Sequence, residues 1–217
     1  MADKIKRVFV EKKEGFDVEA EELLHDFRES LELENLEVLR LLNRYDITNI
    51  SETAYKEACE TILAELPVDI IYQEEIEKSE DAVIFAVEYL PGQYDQRADS
   101  AEQCIQILNN DEKPTVRVAQ IFILKGDLSQ EDIESIKDYY INPVDSREAA
   151  LKKPESLEMQ YKIPEKVKTI SGFIKADENK LRSLMSELGL AMSMADLKRC
   201  QKYFRDKVLR NPTIREF

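Results

Sequence analysis

Landmark residues in the first half of the chain recur in the second half at a nearly fixed distance. They are turn glycines, strand valines, helix-capping serines and helix-ending prolines, and partners lie 76 to 78 residues apart. The pairs are Gly15 with Gly92, Val38 with Val116, Ser51 with Ser129, and Pro67 with Pro143. Because four kinds of landmark share nearly one offset, the sequence predicts two copies of one supersecondary unit.

Each copy has the pattern strand, helix, strand, helix, strand. Apolar runs predict strands at 6–12, 38–47, 68–76, 82–89 and 116–124, with extended chain again from Val144 onward. Helices with an apolar stripe follow the capping residues Asp17, Ser51, Asp95 and Ser129. We therefore expect a duplicated βαβαβ domain over residues 1–150, with repeats at about 4–78 and 81–150.

Neither copy can bury its apolar sheet face well alone, so the two are expected to pack as a pseudo-dimer. The long extended runs at 36–48 and 114–126 leave an alternative open. If each folded into a hairpin, each copy would be a ferredoxin-like βαββαβ unit. The sequence also leaves open whether the copies pack face to face or edge to edge.

The last third of the chain differs from the rest in its pattern of apolar residues. From about 142 to 171 the periodicity is weak, including Lys162-Ile163-Pro164, which indicates an extended linker over the surface. Two short amphipathic helices follow, one after Asp177 and one after a capping box at Ser193 and Asp196. The predicted class is α+β: a ferredoxin-like, pseudo-dimeric domain, then an extended linker and a small helical linker domain over 151–217.

Composition excludes several classes of function. The chain has 31 basic and 45 acidic residues and a formal charge of −14, with no basic run for nucleic acid. No apolar run approaches the roughly 20 residues that span a bilayer, and the N-terminus lacks the apolar core of a signal peptide. Three dispersed cysteines, Cys59, Cys104 and Cys200, lie in apolar helical patterns. They predict reduced, mostly buried thiols in the cytoplasm.

The sequence offers no catalytic constellation. The one histidine, His25, sits among acidic residues on a helix and has no cysteine at metal-ligand spacing. Five dispersed glycines cannot form a phosphate-binding loop. The acidic residues Glu74, Glu75 and Glu77 fit a charged strand edge better than a metal site. We therefore expect no catalytic residue, metal ligand or cofactor in this chain.

A dense polar set at the second copy's first turn is the best candidate site. We call it the polar corner: Pro91, Gly92, Gln93, Tyr94, Asp95, Gln96, Arg97, Asp99 and Gln103. A well-capped helix with a solvated face is one interpretation, and a domain-docking surface is the other. The first copy has Phe16, Val18 and Glu19 at the corresponding turn and lacks this set. Divergence at this one turn favours an added task for the second copy.

The run V-E-Y-L-P-G-Q-Y-D-Q-R-A-D-S-A-E-Q-C-I-Q at 87–106 closely resembles the N-terminal domain of phosphoribosylformylglycinamidine synthase in its large single-chain form. The segments N-P-V-D-S-R-E-A, G-L-A-M-S-M-A-D-L-K and R-N-P-T-I-R-E also resemble that family, at 142–149, 189–198 and 210–216. In that family the first domain is similar to a dimer of a small separate subunit, and a helical linker domain follows it.

The resemblance implies a role in purine biosynthesis. That enzyme uses ATP, with magnesium expected, to convert an amide to an amidine with ammonia drawn from glutamine. Its Trp-Ser-x-His-Cys-type segment, synthetase domain and glutaminase are not in this sequence, so the chain alone is expected to be inactive and to be a fragment. The implied partners are the synthetase and glutaminase domains of the same enzyme.

Two functions from different classes follow. The first is a non-catalytic assembly module that docks the catalytic domains through the polar corner. The second is a small-molecule-sensing regulatory module of paired ferredoxin-like units, for which the sequence lacks a glycine-rich effector turn. Nucleic acid and membrane are not expected as partners, and both a monomer and a homodimer stay open.

Overall fold

The computed structural model of the chain describes residues 5–77, 79, 81–158 and 166–216. They form two compact units, 1–160 and 161–217, whereas the sequence placed the boundary between 150 and 151. Among the described helices, none is both long enough and apolar enough to cross a bilayer.

The first unit is α+β, and its described residues form six strands and four helices. Its strands are β1 (Lys6–Lys12), β2 (Leu36–Thr48), β3 (Asp69–Gln73), β4 (Val83–Tyr89), β5 (Thr115–Gly126) and β6 (Ser146–Ala149). Its helices are α1 (Val18–Ser30), α2 (Glu52–Thr61), α3 (Gln96–Leu108) and α4 (Gln130–Tyr140). Each half of the unit therefore runs strand, helix, strand, helix, strand, as the sequence predicts.

The six strands form one antiparallel sheet in the order β3-β1-β2-β5-β4-β6. The long strands β2 and β5 pair along nearly their whole length and join the two halves edge to edge. Each of them is one continuous strand, so the hairpin alternative is wrong. Each of these strands lies between two neighbours. Folding either strand into a hairpin would break backbone hydrogen bonds to both neighbours.

All four helices cover one face of this sheet, in two pairs. Helices α2 and α3 bury Ala58 and Ile105 against Val8 and Ile47 of the strands. Helices α1 and α4 bury a second set, including Phe27 and Ile136, together with Leu39, Phe122 and Leu124. Alternate strand positions supply these side chains, as expected for a sheet with one helical face.

The opposite face carries a third apolar cluster, to which no described helix contributes. Phe9, Leu42, Ile121 and Ile123 lie at its centre and are almost fully buried. Ile76 and Ala82, from the connection between β3 and β4, pack against this cluster.

The chain that follows β6 is held to the same face by arginines. Arg7 donates to the Leu151 carbonyl at 2.7 Å, Arg44 to the Ala150 carbonyl at 2.8 Å, and Arg117 to the Leu157 carbonyl at 2.9 Å. Leu157 itself is buried. The first part of the predicted linker is thus packed onto the first unit, and Lys162-Ile163-Pro164 lies outside the described residues.

Three local expectations need correction. Asp17 occupies the position before α1, but its carboxylate accepts from the Gly15 N–H and does not cap the helix. Glu74 and its acidic neighbours lie beyond β3, because Glu74 takes a left-handed conformation, φ 64°, that ends the strand. Of the three free cysteines only Cys59 is buried, and Cys104 is exposed.

The second unit is helical. Its helices are α5 (Glu178–Glu187) and α6 (Met194–Tyr203), with 3-10 turns at Phe173–Lys175 and Ile214–Glu216 and a π-helical turn at Phe204–Val208. Phe173, Leu181, Leu197 and Phe204 form its core. The predicted caps are confirmed: Asp177 accepts from the Lys180 N–H, and Ser193 with Asp196 forms a capping box.

Candidate functional site

The polar corner begins where β4 leaves the sheet. The chain turns at Pro91 and Gly92, where Gly92 adopts φ 96°. Only glycine takes this left-handed conformation without strain. Pro91 and Gly92 are both exposed, so the turn stands at the surface of the unit.

Asp95 caps the helix that the turn introduces. It is the N-cap of α3, and its carboxylate accepts from the Ala98 N–H at 2.9 Å. A cap of this kind satisfies one of the free N–H groups at the start of a helix. For Asp95 the capping interpretation is therefore sufficient.

Three other members of the corner form a hydrogen-bonded cluster that faces outward. The Tyr94 hydroxyl donates to Asp99 Oδ2 at 2.8 Å, and Gln103 Nε2 donates to the same oxygen at 2.7 Å. Tyr94 is nevertheless 70% exposed. Its hydrogen bond to Asp99 raises the pKa of Tyr94. A large aromatic side chain is thus held at the surface in one orientation.

Apolar side chains continue this exposed surface. Asp99, Gln103 and Ile107 are spaced by four residues, which places them on one side of α3. Ile107 is 76% exposed, as is Val144. Gln93 Nε2 donates to the Val144 carbonyl at 3.2 Å and so ties that loop to the corner. We call Tyr94, Asp99, Gln103 and Ile107 the α3 stripe.

The remaining members lie on another side of the corner. Gln96 and Arg97 line a cavity of about 430 Å³ on the helical face. Arg97 Nη1 lies 3.5 Å from the Tyr45 hydroxyl, at the outer limit of a hydrogen bond. The nine predicted residues therefore do not form one surface: some build the turn and cap, some the stripe, and some line this cavity.

Two polar residues at the centre of the sheet lie beside Arg97 in this cavity. Asn43 of β2 and Gln120 of β5 are directly paired across the central seam, and both line it. Gln120 accepts from the Tyr140 hydroxyl at 2.6 Å and donates to Glu19 at 3.2 Å. Asn43 Oδ1 is buried, and it has no hydrogen-bond partner in the part of the chain that the structure describes.

Sequence reasoning missed Asn43, Gln120 and Tyr140, although the strands carry a signal for two of them. The helix-facing positions of β2 and β5 are apolar or aromatic on both sides of these residues, from Leu39 to Ile47 and from Val116 to Leu124. A polar residue at such a position breaks the alternation. The break occurs once in each strand, at positions 77 residues apart.

The structure offers little for metal or nucleophile chemistry. Within the described ranges, no group of three or more His, Cys, Asp or Glu side chains is arranged to hold a metal ion. His25 is exposed on α1. Burial raises the pKa of the Cys59 thiol, which makes it a poor nucleophile.

Comparison with known proteins adds no relative. No protein-family model matches the sequence, and no curated protein matches it. The resemblance to phosphoribosylformylglycinamidine synthase therefore rests on the motifs quoted above.

Proposed function

We propose that the chain is a non-catalytic assembly module of a glutamine-dependent phosphoribosylformylglycinamidine synthase. It docks the synthetase and glutaminase domains of that enzyme, which supply the ATP and magnesium chemistry, in the cytoplasm. The observation that carries the docking role is the α3 stripe. In it an exposed tyrosine is fixed by hydrogen bonds beside exposed apolar residues.

The stripe has the features of a protein contact. Tyrosine is enriched in interfaces because it offers a large apolar ring and a polar tip at low entropic cost. Tyr94 is already oriented by Asp99, so a partner need not order it on binding. Ile107 supplies an apolar contact on the same side of α3, and Gln103 supplies amide hydrogen-bonding groups.

We also propose that the first unit is a duplication, a pseudo-dimer of two βαβαβ halves. The strand register supports it, since adding 77 to each residue number converts the first half's pairs into the second half's. The matching pairs are Lys6–Ile47 with Val83–Leu124, and Val10–Ile71 with Val87–Glu148. Positive φ angles recur at the same offset, at Gly15 and Gly92 and at Asn49 and Gly126.

The duplication sharpens the docking proposal by supplying an internal comparison. With an offset of 77, Gln93 corresponds to Phe16, Asp95 to Val18, and Gln96 to Glu19. Only the second copy therefore has the tyrosine cluster and the capping aspartate. A surface that differs between the copies at corresponding turns favours a task beyond folding.

Reconstitution tests the proposed function. The 217-residue chain is mixed with a separately produced remainder of the enzyme, comprising the synthetase and glutaminase domains. We expect a complex by analytical ultracentrifugation and restoration of glutamine-dependent, ATP-dependent amidine formation. The chain alone should turn over neither ATP nor glutamine. Absence of both the complex and restored activity contradicts the proposal, as does turnover by the chain alone.

A further inference from the structure

The cavity between the two helix pairs contains an arginine whose donors are mostly unused. The first unit has seven arginines, and six of them bond to a carboxylate or a backbone carbonyl: Arg7, Arg28, Arg40, Arg44, Arg117 and Arg147. Arg147, whose side chain is 51% exposed, is among the six, so the exposure of Arg97 does not by itself account for its unused donors. Among the described residues, no carboxylate oxygen lies within 4 Å of Arg97, whose one bond is the long contact with Tyr45. A guanidinium has five N–H donors, so most of those on Arg97 are free for an acceptor.

An unused acceptor lines the same cavity. Asn43 Oδ1 is buried, no described residue donates to it, and leaving such a group unpaired is unfavourable. Asn43 and Arg97 both line the 430 Å³ cavity and also a neighbouring one of about 130 Å³. The volume of the larger cavity falls within the range of small-molecule sites. The free donors of Arg97 therefore line a space large enough for a ligand, and the unpaired oxygen of Asn43 belongs to its wall.

The charges around Arg97 restrict the kind of ligand. Glu88, Asp95 and Asp145 line the larger cavity, and Asp17, Glu19 and Asp69 line the smaller one together with Lys12. Six carboxylates around one guanidinium and one ammonium group disfavour a phosphate or another multiply charged anion. They favour a molecule that presents one carboxylate to Arg97 and a positively charged N–H donor to the other side.

The cavities on the opposite face of the sheet lack this capacity. A cavity of about 570 Å³ is lined by Arg44, Arg117 and Arg147, and one of about 340 Å³ by Arg7 and Arg44. These guanidiniums already bond to Asp46, to Glu88 or to backbone carbonyls. A ligand carboxylate there has to compete with bonds inside the protein.

We propose that the cavity on the helical face binds a free zwitterionic amino acid. Arg97 receives its carboxylate, and Asn43 Oδ1 accepts from its ammonium group. Gln120, fixed by Tyr140 and Glu19, forms part of the floor beside Asn43. This site goes beyond the docking role, because the α3 stripe does not include Arg97 or Asn43.

Calorimetric titration of the full 217-residue chain tests the site. The probes are the common α-amino acids, with β-alanine and γ-aminobutyrate to vary the separation of the charges. Propionate, butyrate and inorganic phosphate are the matched probes without an ammonium group. We expect at least one amino acid to bind with a Kd in the millimolar range or tighter, and the matched probes to bind at least tenfold more weakly.

Variants locate the binding. Arg97→Met and Asn43→Leu should each weaken it at least tenfold, whereas Arg147→Met on the other face should leave it unchanged. Asn43→Leu removes an unpaired acceptor, so its melting temperature should not fall, and loss of binding then cannot reflect unfolding. If Arg97→Met lowers the melting temperature, Arg97→Lys replaces it in the test. Lysine retains the positive charge but cannot donate two parallel hydrogen bonds to a carboxylate, so binding should still weaken.

Several results overturn the proposal. They are no heat with any amino acid at 10 mM, equal binding of propionate or phosphate, and binding that survives both Arg97→Met and Asn43→Leu. Tyr94→Ala should leave amino-acid binding unchanged, so a failure of the docking function is distinguishable from a failure of this site.

Discussion

Asp46 is the charged side chain around which the helix-free face is organised. Its side chain is 1% exposed, and it accepts two bonds from Arg7, at 2.5 and 2.7 Å. Arg44 Nε lies 3.3 Å from Asp46 Oδ2, which also accepts from Arg7. Burial lowers the pKa of Arg44 against the attraction of Asp46. One carboxylate therefore balances two buried guanidiniums, and those guanidiniums in turn hold the segment after β6.

Asp46→Asn should destabilise the first unit by about 3–5 kcal/mol, because it leaves buried positive charge without a counter-ion. The matched variant is Glu88→Gln, which removes the partner of the half-exposed Arg147 and should cost less than about 1 kcal/mol. Urea unfolding followed by circular dichroism measures both. Equal effects of the two substitutions contradict this account of Asp46.

The two aspartates before α1 and α3 should differ in their contribution to stability. Asp95→Ala should cost about 1 kcal/mol, because Asp95 caps α3. Asp17→Ala should cost less, because the Asp17 side chain bonds to the Gly15 N–H and caps no helix. The free energy of unfolding of each variant is the measurement. A larger loss for Asp17→Ala contradicts the structural assignment.

Tyr140 should titrate at unusually high pH. Burial, followed by the charges of Glu19 and Tyr89, raises the pKa of Tyr140 to about 12, against an ordinary value of 10.0. A raised pKa in the folded state means that its stabilising contribution is complete below pH 10 and is lost as pH rises through 12. Ultraviolet titration of tyrosinate should show a component near pH 12 that is absent from Tyr140→Phe. Identical titration curves contradict the assignment.

At the scale of elements, apolar periodicity was sufficient to predict every strand and helix of the first unit. It could not give their ends. The prediction continued β3 to residue 76, but a left-handed Glu74 stops it, and nothing in a glutamate signals that conformation. Conversely, β2 covers the whole extended run at 36–48 and not only the apolar run at 38–47, because its pairing with β5 continues to both ends.

Gly126 at the end of β5 tests the pairing of the two long strands. It adopts φ 146°, and an added Cβ would lie 2.0 Å from the Asn35 carbonyl oxygen. Gly126→Ala should cost roughly 3 kcal/mol or more, from strain and from displaced backbone at the β2–β5 seam. Gly92→Ala, where a Cβ meets no atom within 4 Å, should cost only about 1–2 kcal/mol, from the left-handed backbone alone. Thermal unfolding of both variants gives the comparison, and equal losses contradict it.

The candidate site was only partly predictable for a similar reason. Sequence identified the polar corner as one set, because its residues are contiguous. Whether each side chain points toward the surface or toward the cavity depends on the rotation of α3 against the sheet, which periodicity gives only coarsely. Cys104 is an example. The apolar pattern predicts that it is buried, but the structure exposes Cys104 and buries Ala98, Ala101 and Ile105 of the same helix.

At the scale of the whole chain, the sequence predicted a doubled α+β domain followed by a helical one. It did not predict that a sheet face would be covered by extended chain. The acceptors there are backbone carbonyls of Ala150, Leu151 and Leu157, which have no signature in side-chain identity. Only the donors can be identified from the sequence, because Arg7, Arg44 and Arg117 lie on predicted strands.

The central claim is that the α3 stripe docks the catalytic domains, and the affinity of the chain for the remainder of the enzyme tests it most directly. Tyr94→Ala should raise the Kd at least tenfold, the effect of losing about 1.4 kcal/mol of binding. Its melting temperature should stay unchanged, because Tyr94 is 70% exposed. Phe16→Ala, at the matching turn of the first half and 56% exposed, should leave the Kd unchanged. Equal Kd values for wild type and Tyr94→Ala, or a larger loss with Phe16→Ala, would contradict the claim.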